Sequence, residues 1–292
     1  MTKKHLVFVV NPKSGVDREK AIQNAIDSRL DFNQFSYEIA HTQYSKHGTI
    51  IAKDAAEKGA YAVVAVGGDG SVNDVAAGLL HTDTALAIIA KGSGNGLARS
   101  LNLPLNEPEA IDVINRGKTI MMDVGFAANR LFLSNAGAGF DALIAEKFAS
   151  SKRRGFAIYS WLVTKNLWTF KSPTWDIVID GKKTKEKAFL ICVANGKQFG
   201  YNFQIAPDAD CTDGLFDVIV IKNFPRVLGG LLVVRAMNGT ITKSPFVKHF
   251  RGTDVVLSHP SLANMQTDGD GHPCGNSIHF RMVPAAQTVI VP

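Results

Sequence analysis

Cysteine is scarce in this sequence. The three cysteines, Cys192, Cys211 and Cys274, lie far apart and form no Cys-x-x-Cys pair. An odd number of dispersed cysteines argues against a disulfide framework and against a thiolate zinc site. The sequence therefore predicts a protein of a reducing compartment, and we expect it in the cytoplasm.

Long hydrophobic runs are also absent. The first apolar run, residues 6–10, stops at Asn11 and Pro12, and the run 228–234 is cut by Arg235. A signal peptide needs a longer apolar core, and a membrane-spanning helix needs roughly 18 consecutive apolar residues. We therefore predict that the chain touches a membrane at most and does not span one.

Acidic residues are fewer than basic residues in this sequence. Lys and Arg number 32 against 26 Asp and Glu, which gives a formal net charge of +6. This excess favours an anionic partner such as a nucleotide, a nucleic acid or an anionic membrane surface, without choosing among them. Hydrophobic residues make up 46% and charged residues 20% of the chain, which is typical of a folded globular protein.

Strand and helix patterns alternate over residues 1–122. Continuous apolar segments predict buried parallel strands, and amphipathic segments between them predict helices. This alternation predicts an N-terminal α/β domain with a doubly wound, mostly parallel sheet. The predicted strands are 5–10, 35–40, 61–66 and 85–90, and the predicted helices are 17–30, 48–59, 71–80, 94–101 and 107–117.

The pattern changes after residue 122. Strand-like segments then follow one another, with a single helical stretch near 140–170. The run "DGKKTK" (180–185) is typical of a hairpin turn between two strands. We predict a β-rich antiparallel sandwich over 123–278 as a second domain. The C-terminal strand, 279–292, is expected to return to the first domain, 1–122.

Glycine-rich turns follow the strands of the first domain. In a parallel sheet these turns lie at one edge, where ligands of open α/β folds bind. Glycine lets the backbone approach a phosphate closely, and a helix N-terminus adds N–H donors. One such turn is equally typical of an ordinary strand-to-helix connection, but several together predict a nucleotide site. The turns are "NPKSG" (11–15), "HTQYSKHG" (41–48), "GGDGSVND" (67–74) and "KGSGNG" (91–96).

The common nucleotide motifs are missing. The sequence has no G-x-x-x-x-G-K-[ST] loop. The run "GSGNGLA" (92–98) loosely matches G-x-G-x-x-A, but it opens the fourth helix and no suitable ribose-binding acid follows about twenty residues later. A Walker loop and a Rossmann dinucleotide site are therefore not predicted.

Five ordered motifs carry a resemblance to a known family. "VVNPKSG", "VGGDGSVNDV", "KGSGNGLAR", "APDADCTDGLFDV" and "QTDGDG" cover nearly the whole chain. In this order they resemble the diacylglycerol kinase catalytic-domain superfamily, which includes sphingosine kinases and bacterial soluble lipid kinases. The GGDG element alone is shared with NAD kinases and phosphofructokinases.

The resemblance implies an ATP site in the first domain. Asp69 could orient Mg²⁺ and water on the phosphates, and it could also cap the helix that follows. Gly92-Ser93 stands for the family's Gly-Thr, and Gly96 stands where the family usually has Asp. The implied ATP-contacting residues are Asn11, Pro12, Lys13, Ser14, Gly15, Thr42, Gly67, Gly68, Asp69, Gly70, Ser71, Asn73 and Ser93.

The resemblance also implies a separate structural metal loop in "DADCTDGLFD" (208–217). It assigns Asp213 as a carboxylate ligand and the main-chain carbonyls of Asp210 and Leu215 as further ligands. Oxygen donors of this kind suit Mg²⁺. From the residues alone, an ordinary Asp-Gly turn before a strand stays open as the alternative.

The segment "TDGDG" (267–271) resembles the family's Asp-Gly-Glu catalytic element, with the shorter Asp270 in place of Glu. Phosphoryl transfer to an alcohol needs a carboxylate within hydrogen-bond reach of the attacking hydroxyl. Asp268 is the first choice as that base. Asp270 is the alternative, or the partner that orients it.

The segment 151–171 combines basic and aromatic residues. This composition suits transient contact with a membrane surface, and no recognised nucleic-acid module accompanies it. A core helix with a solvated basic start is the alternative. The residues are Lys152, Arg153, Arg154, Phe156, Tyr159, Trp161, Leu162, Trp168 and Phe170.

Together these features predict an ATP- and Mg²⁺-dependent kinase of a lipid alcohol that visits the membrane peripherally. Two alternatives remain: an NAD kinase-like enzyme that acts on a soluble dinucleotide, and a nucleotide or lipid sensor without catalysis. The sequence identifies neither the lipid nor the preferred nucleotide. It does not fix the oligomeric state either, for which a homodimer is one candidate.

Overall fold

Two units divide the chain. The computed structural model describes residues 2–11, 16–151 and 155–292. One unit consists of Met1–Met122 with Ala285–Pro292, and the other of Asp123–Pro284. The chain crosses from one unit to the other within two strands, β5 (Thr119–Ala127) and β15 (Ser277–Ile290).

The first unit alternates strands and helices. Its three central strands are buried at every residue but the first two of β1, which explains their continuous apolar sequence. The elements are β1 (Lys4–Val10), α1 (Val16–Arg29), β2 (Phe35–His41), α2 (His47–Glu57), β3 (Ala62–Gly67), α3 (Asp69–Leu79), β4 (Ala85–Ala90), α4 (Gly96–Ser100) and α5 (Glu107–Arg116).

The strands of this unit run parallel in the order β15-β4-β3-β1-β2. The predicted parallel α/β sheet is confirmed. The order reverses between β1 and β3, and such a switch point leaves room for a ligand outside the carboxyl ends of the strands. The turns after β1 and β3 therefore stand where open α/β folds bind ligands.

Helix α5 illustrates how local sequence sets these elements. The side chain of Asn106 accepts a hydrogen bond from Glu109 N (3.0 Å) and caps the N-terminus. Gly117 ends the helix in the left-handed conformation (φ 63°). The inward face carries Ala110, Ile111 and Ile114, all buried.

The second unit is rich in antiparallel strands. Its elements are β6 (Arg130–Phe132), β7 (Asn135–Gly139), α6 (Phe140–Ala149), α7 (Phe156–Leu167), β8 (Thr174–Ile179), β9 (Lys182–Ala194), β10 (Phe216–Lys222), α8 (Gly229–Met237), β11 (Val247–Gly252), β12 (Asp254–Ser258), β13 (Asn264–Thr267) and β14 (Asp270–Pro273).

The pairings within this unit confirm the predicted β-rich antiparallel fold. Strand β9 is long enough to pair with β8 through its first half and with β7 and β10 through its second half. The hairpin between β8 and β9 turns at Asp180 and Gly181, both with positive φ.

The helices of this unit differ from the sequence prediction. The single helical stretch expected near 140–170 is two helices, α6 and α7, because Gly155 has a positive φ of 107°. A third helix, α8, was not predicted. It carries two glycines and two β-branched valines, a composition that is poor in helix propensity, and its inner residues Leu232 and Ala236 join a buried apolar cluster.

Candidate functional site

The turn between β3 and α3 is built on glycine. Gly67 ends the strand, and a Cβ there would lie 2.5 Å from the Ser71 side-chain oxygen. Gly68 is the N-cap of α3 with an extended backbone, and Val72 N donates to its carbonyl (3.1 Å). The first N–H groups of a helix have no partner within the helix. Bare main chain and the N–H groups of a helix N-terminus suit an anionic ligand at this turn.

Asp69 does not cap the helix that follows. The N-cap is Gly68, which has no side chain to accept a cap hydrogen bond. Asp69 is instead the first helical residue, where a carboxylate interacts favourably with the positive end of the helix dipole. The capping role offered for Asp69 by the sequence is therefore wrong.

The turn after β4 packs directly against the turn after β3. A Cβ on Gly92 would lie 2.6 Å from the Cα of Gly68, and Lys91 N donates to the carbonyl of Gly67 (2.8 Å). The Asn95 side chain closes the second turn by bonding both N and O of Gly92, each at 2.9 Å. No side chain larger than hydrogen fits between the two turns.

The turns after β1 and β2 also meet. Thr42 N donates to the carbonyl of Val10 (3.0 Å), so Thr42 stands beside Asn11, the residue that follows β1. Pro12, Lys13, Ser14 and Gly15 lie outside the described residues. The remaining predicted ATP contacts, Gly70, Ser71, Asn73 and Ser93, are half-buried or exposed.

The second unit holds the two carboxylates of the "TDGDG" turn differently. Asp268 accepts from three main-chain N–H groups: Leu133 at 2.8 Å, Ser134 at 2.8 Å and Asn135 at 3.1 Å. Its own N–H donates to the carbonyl of Asn135 (2.8 Å), and its φ is 48°. Asp270 begins β14 and is exposed. Three donors fix the orientation of the Asp268 carboxylate, whereas Asp270 faces solvent.

A buried polar network supports this turn, and the sequence analysis missed it. Gln266 donates to Asn135 Oδ1 (2.9 Å) and to Asp141 Oδ2 (3.4 Å), and it accepts from Gly269 N (3.0 Å). Asp141 is 8% exposed, and its Oδ1 has no hydrogen-bond partner among the described residues. Burial raises the pKa of the Asp141 carboxyl to about 6. The only signal in the sequence is one acidic residue inside an apolar segment.

The predicted metal loop is a turn closed by its own carboxylates. Asp210 Oδ1 accepts from the N–H (3.0 Å) and hydroxyl (2.7 Å) of Thr212, and Asp213 Oδ1 accepts from Leu215 N (3.0 Å). The second oxygen of Asp213 pairs with the Arg251 guanidinium. The donors are oxygens, as a hard cation requires, but Arg251 shares the carboxylate on which such a cation would depend.

Within residues 2–11, 16–151 and 155–292, no group of three or more His, Cys, Asp or Glu side chains is placed so that it could hold a metal ion. The 210–215 turn contributes two such carboxylates, Asp210 and Asp213. A cation there would depend on main-chain carbonyl ligands in addition, which is the ligand set that the family resemblance implies.

The aromatic segment contributes to both core and surface. Leu162 is buried, and Tyr159 and Phe170 pack against the same apolar cluster. Trp161 and Trp168 are 56% and 62% exposed, and the Lys165 ammonium lies 4.7 Å from the centre of the Trp161 ring. Lys152, Arg153, Arg154 and the Phe156 side chain lie outside the described residues. Among the residues described, no helix is long and apolar enough to cross a membrane.

Comparisons with known proteins find matches to both parts of the chain. Residues 5–127 match the diacylglycerol kinase catalytic domain, and residues 134–291 match the YegS C-terminal NAD kinase beta sandwich-like domain. A diacylglycerol kinase of Mycobacterium tuberculosis (strain CDC 1551 / Oshkosh) is 30% identical over 249 residues, covering 82% of this chain and 79% of that protein.

Solved structures share the fold. A diacylglycerol kinase from Bacillus anthracis str. Sterne matches with a TM-score of 0.72 at 22% identity, over 99% of this chain and 97% of that one. An NAD kinase from Archaeoglobus fulgidus, solved in complex with ATP, matches with a TM-score of 0.57 at 13% identity, over 98% and 93% of the two chains. At these identities the likeness shows the two-domain fold alone.

Proposed function

This chain belongs to the diacylglycerol kinase catalytic-domain family, and from that membership we propose that it transfers the γ-phosphate of ATP to the hydroxyl of a lipid. Family membership supports a kinase of lipids in general terms. The acceptor we propose is diacylglycerol-like, because the relative from Mycobacterium tuberculosis is named a diacylglycerol kinase, or sphingoid-like, because the motifs also resemble those of sphingosine kinases.

One observation carries the proposal: the backbone contact between Gly68 and Gly92. It joins two strand-to-helix turns without an intervening side chain, beside the switch point of the sheet. An ATP phosphate chain would meet main-chain N–H groups there at close range. The proposed contacts include Asn11, which follows β1, and Thr42, which follows β2. They also include the rest of the "NPKSG" segment, which the family resemblance assigns.

The proposed base is Asp270. Both oxygens of Asp268 already accept main-chain N–H groups, so this side chain is well suited to hold the turn in shape and poorly suited to receive a proton. Asp270 is exposed two residues later on the same turn. A general base must reach the proton of the attacking hydroxyl, and an exposed carboxylate on a fixed turn meets that need.

Mg²⁺ is proposed as the metal. When bound, it would neutralise charge on the transferring phosphates. The oxygen donors of the 210–215 turn fit a second, structural cation that would compete with Arg251 for Asp213. Trp161, Trp168 and Lys165 support the proposal of transient membrane contact, because exposed indoles beside a cation suit the lipid interface.

The test is phosphorylation of extracted lipids with radiolabelled ATP and Mg²⁺, followed by product identification by mass spectrometry. We expect a labelled phospholipid with the wild-type chain and none with Asp270→Asn. A parallel reaction with soluble NAD measures dinucleotide kinase activity. Labelling of NAD but of no lipid would overturn the lipid kinase proposal. Wild-type turnover of lipid by Asp270→Asn would overturn the assignment of Asp270 as the base.

A further inference from the structure

Helix α8 is apolar on both of its faces. Leu232 and Ala236 point into the buried cluster, as expected for a surface helix. On the opposite side Leu231, Val234 and Met237 are 49%, 53% and 54% exposed, and Val227, in the turn just before the helix, is 76% exposed. We call these four residues the α8 face. A helix that is apolar all round is normally buried. An exposed apolar face of this kind therefore marks a surface that binds another protein, a membrane or a ligand.

Helix α5 provides the contrast within the same chain. Its inner residues are buried, and its outer side carries Glu109, Asp112 and Arg116. That is the ordinary arrangement for a helix facing water. The α8 face has no such charged side chains among its members, although it is equally open to solvent.

The sequence segment that contains α8 carries charge of one sign. From Val218 to Thr253 the sequence contains no Asp or Glu, and it contains Lys222, Arg226, Arg235, Lys243, Lys248 and Arg251. Lys248 and Arg251 pair with acids elsewhere in the unit. Arg226 donates to the carbonyl of Phe170 (2.9 Å). Lys222, Arg235 and Lys243 form no ion pair with any other residue that the structure describes.

The basic stretch extends to the neighbouring helix. A Cβ on Gly229 would lie 3.2 Å from a methyl carbon of Leu167, so the start of α8 packs on the end of α7. From Lys147 to Trp175 the sequence again has basic residues and no acid. Both helices that meet at this contact therefore belong to positively charged segments.

We propose that the α8 face docks the chain on an anionic lipid bilayer, with Val227, Leu231 and Val234 entering the headgroup boundary and Arg235 meeting anionic headgroups. An apolar helix face with basic residues beside it is the form taken by helices that lie in a membrane interface. A second copy of the chain fits less well, because a symmetric contact would bring like charges together.

This inference rests on the proposed lipid kinase function and names the surface by which the chain reaches its substrate. The test is flotation with vesicles of phosphatidylcholine and phosphatidylglycerol in equal parts, against vesicles of phosphatidylcholine alone. We expect the wild-type chain to float with the anionic vesicles and Val234→Asp to bind them at least about tenfold more weakly.

The matched control is Ile50→Asp on α2, because Ile50 is 55% exposed and Val234 is 53% exposed. Both variants change the net charge equally, so a general loss of positive charge would weaken both. We expect Ile50→Asp to bind within about twofold of wild type, and Arg235→Gln to bind about fivefold more weakly, with a smaller effect of salt. Circular dichroism and thermal unfolding check each variant, and Val234→Ser serves if Val234→Asp is unfolded.

Flotation needs no turnover, so it separates this proposal from the kinase proposal. If Val234→Asp loses vesicle binding while no lipid is phosphorylated, the docking surface stands and the kinase proposal fails. Equal flotation of wild type and Val234→Asp overturns the docking surface. So does a concentration-dependent dimer, measured by sedimentation, that Val234→Asp abolishes while vesicle binding is unchanged.

Discussion

Gly68 and Gly92 touch through their backbones, and a Cβ on Gly92 would lie 2.6 Å from the Cα of Gly68 and 2.8 Å from Asn95 Oδ1. A contact this short leaves no room for any side chain. The two turns that we propose to hold the phosphates of ATP are thereby fixed against each other before a ligand arrives.

Gly92→Ala is therefore expected to separate the two turns. We predict a loss of stability of about 1–3 kcal/mol, typical of overpacking, and weaker ATP binding measured by calorimetry. Gly275→Ala is the matched control, because a Cβ there would meet nothing within 4 Å. Unchanged ATP affinity in Gly92→Ala would show that this contact does not shape the nucleotide site.

The two carboxylates of the "TDGDG" turn should respond differently to amidation. Asp268→Asn replaces an acceptor of three main-chain N–H groups and should lower the free energy of unfolding by about 1–3 kcal/mol. Asp270→Asn alters an exposed side chain and should change stability by less than about 0.5 kcal/mol while abolishing lipid phosphorylation. Denaturant titration and the labelling assay on both variants separate the roles, and a stable but inactive Asp268→Asn would return the base to Asp268.

Asp141 should make stability fall as the pH rises. Burial raises the pKa of its carboxyl from an ordinary value of 3.8 to about 6, so between these values the folded protein keeps a proton that the unfolded chain has released. The contribution of the protonated Asp141 to the free energy of unfolding is complete below about pH 4 and is lost above about pH 6, a difference of ~3 kcal/mol. Denaturant titrations from pH 4 to 7 should show this slope reduced in Asp141→Asn and retained in Asp83→Asn, an exposed site.

Mg²⁺ should stabilise the chain through Asp213. A ligand that binds only the folded state raises the midpoint of thermal unfolding, and we expect Asp213→Asn to abolish that rise and Arg251→Met to enlarge it. Asp112→Asn is the control, since Asp112 is also paired with an arginine, Arg29, at 3.4 Å. A rise that persists in Asp213→Asn would place the cation elsewhere.

The first unit was predictable because its signals are local. Continuous apolar segments mark β1, β3 and β4, and glycine marks the turn that follows each of them. A parallel sheet then brings the turns to one edge without further information. The contact between Gly68 and Gly92 is a consequence of this arrangement, although its closeness becomes visible only in the structure.

The carboxylate turn of the second unit was predicted only as a motif. The donors to Asp268 come from Leu133, Ser134 and Asn135, more than 130 residues earlier in the chain, and no local pattern announces them. Asp141 and Gln266 likewise meet through folding alone. The α8 face was not predicted for a related reason. Its apolar sequence resembles that of a core segment, and the exposure of a helix face depends on what packs against the helix.

The final strand completes the sheet of the first unit. Val289 pairs with Leu86 in β4, and Ala285–Pro292 belongs to that unit although all of Asp123–Pro284 precedes it. During synthesis, the edge of β4 stays unpaired until residues 285–290 have been made. The first unit is therefore completed only after the second unit has been made, and a chain that stops before Ala285 leaves an unpaired strand edge open to aggregation.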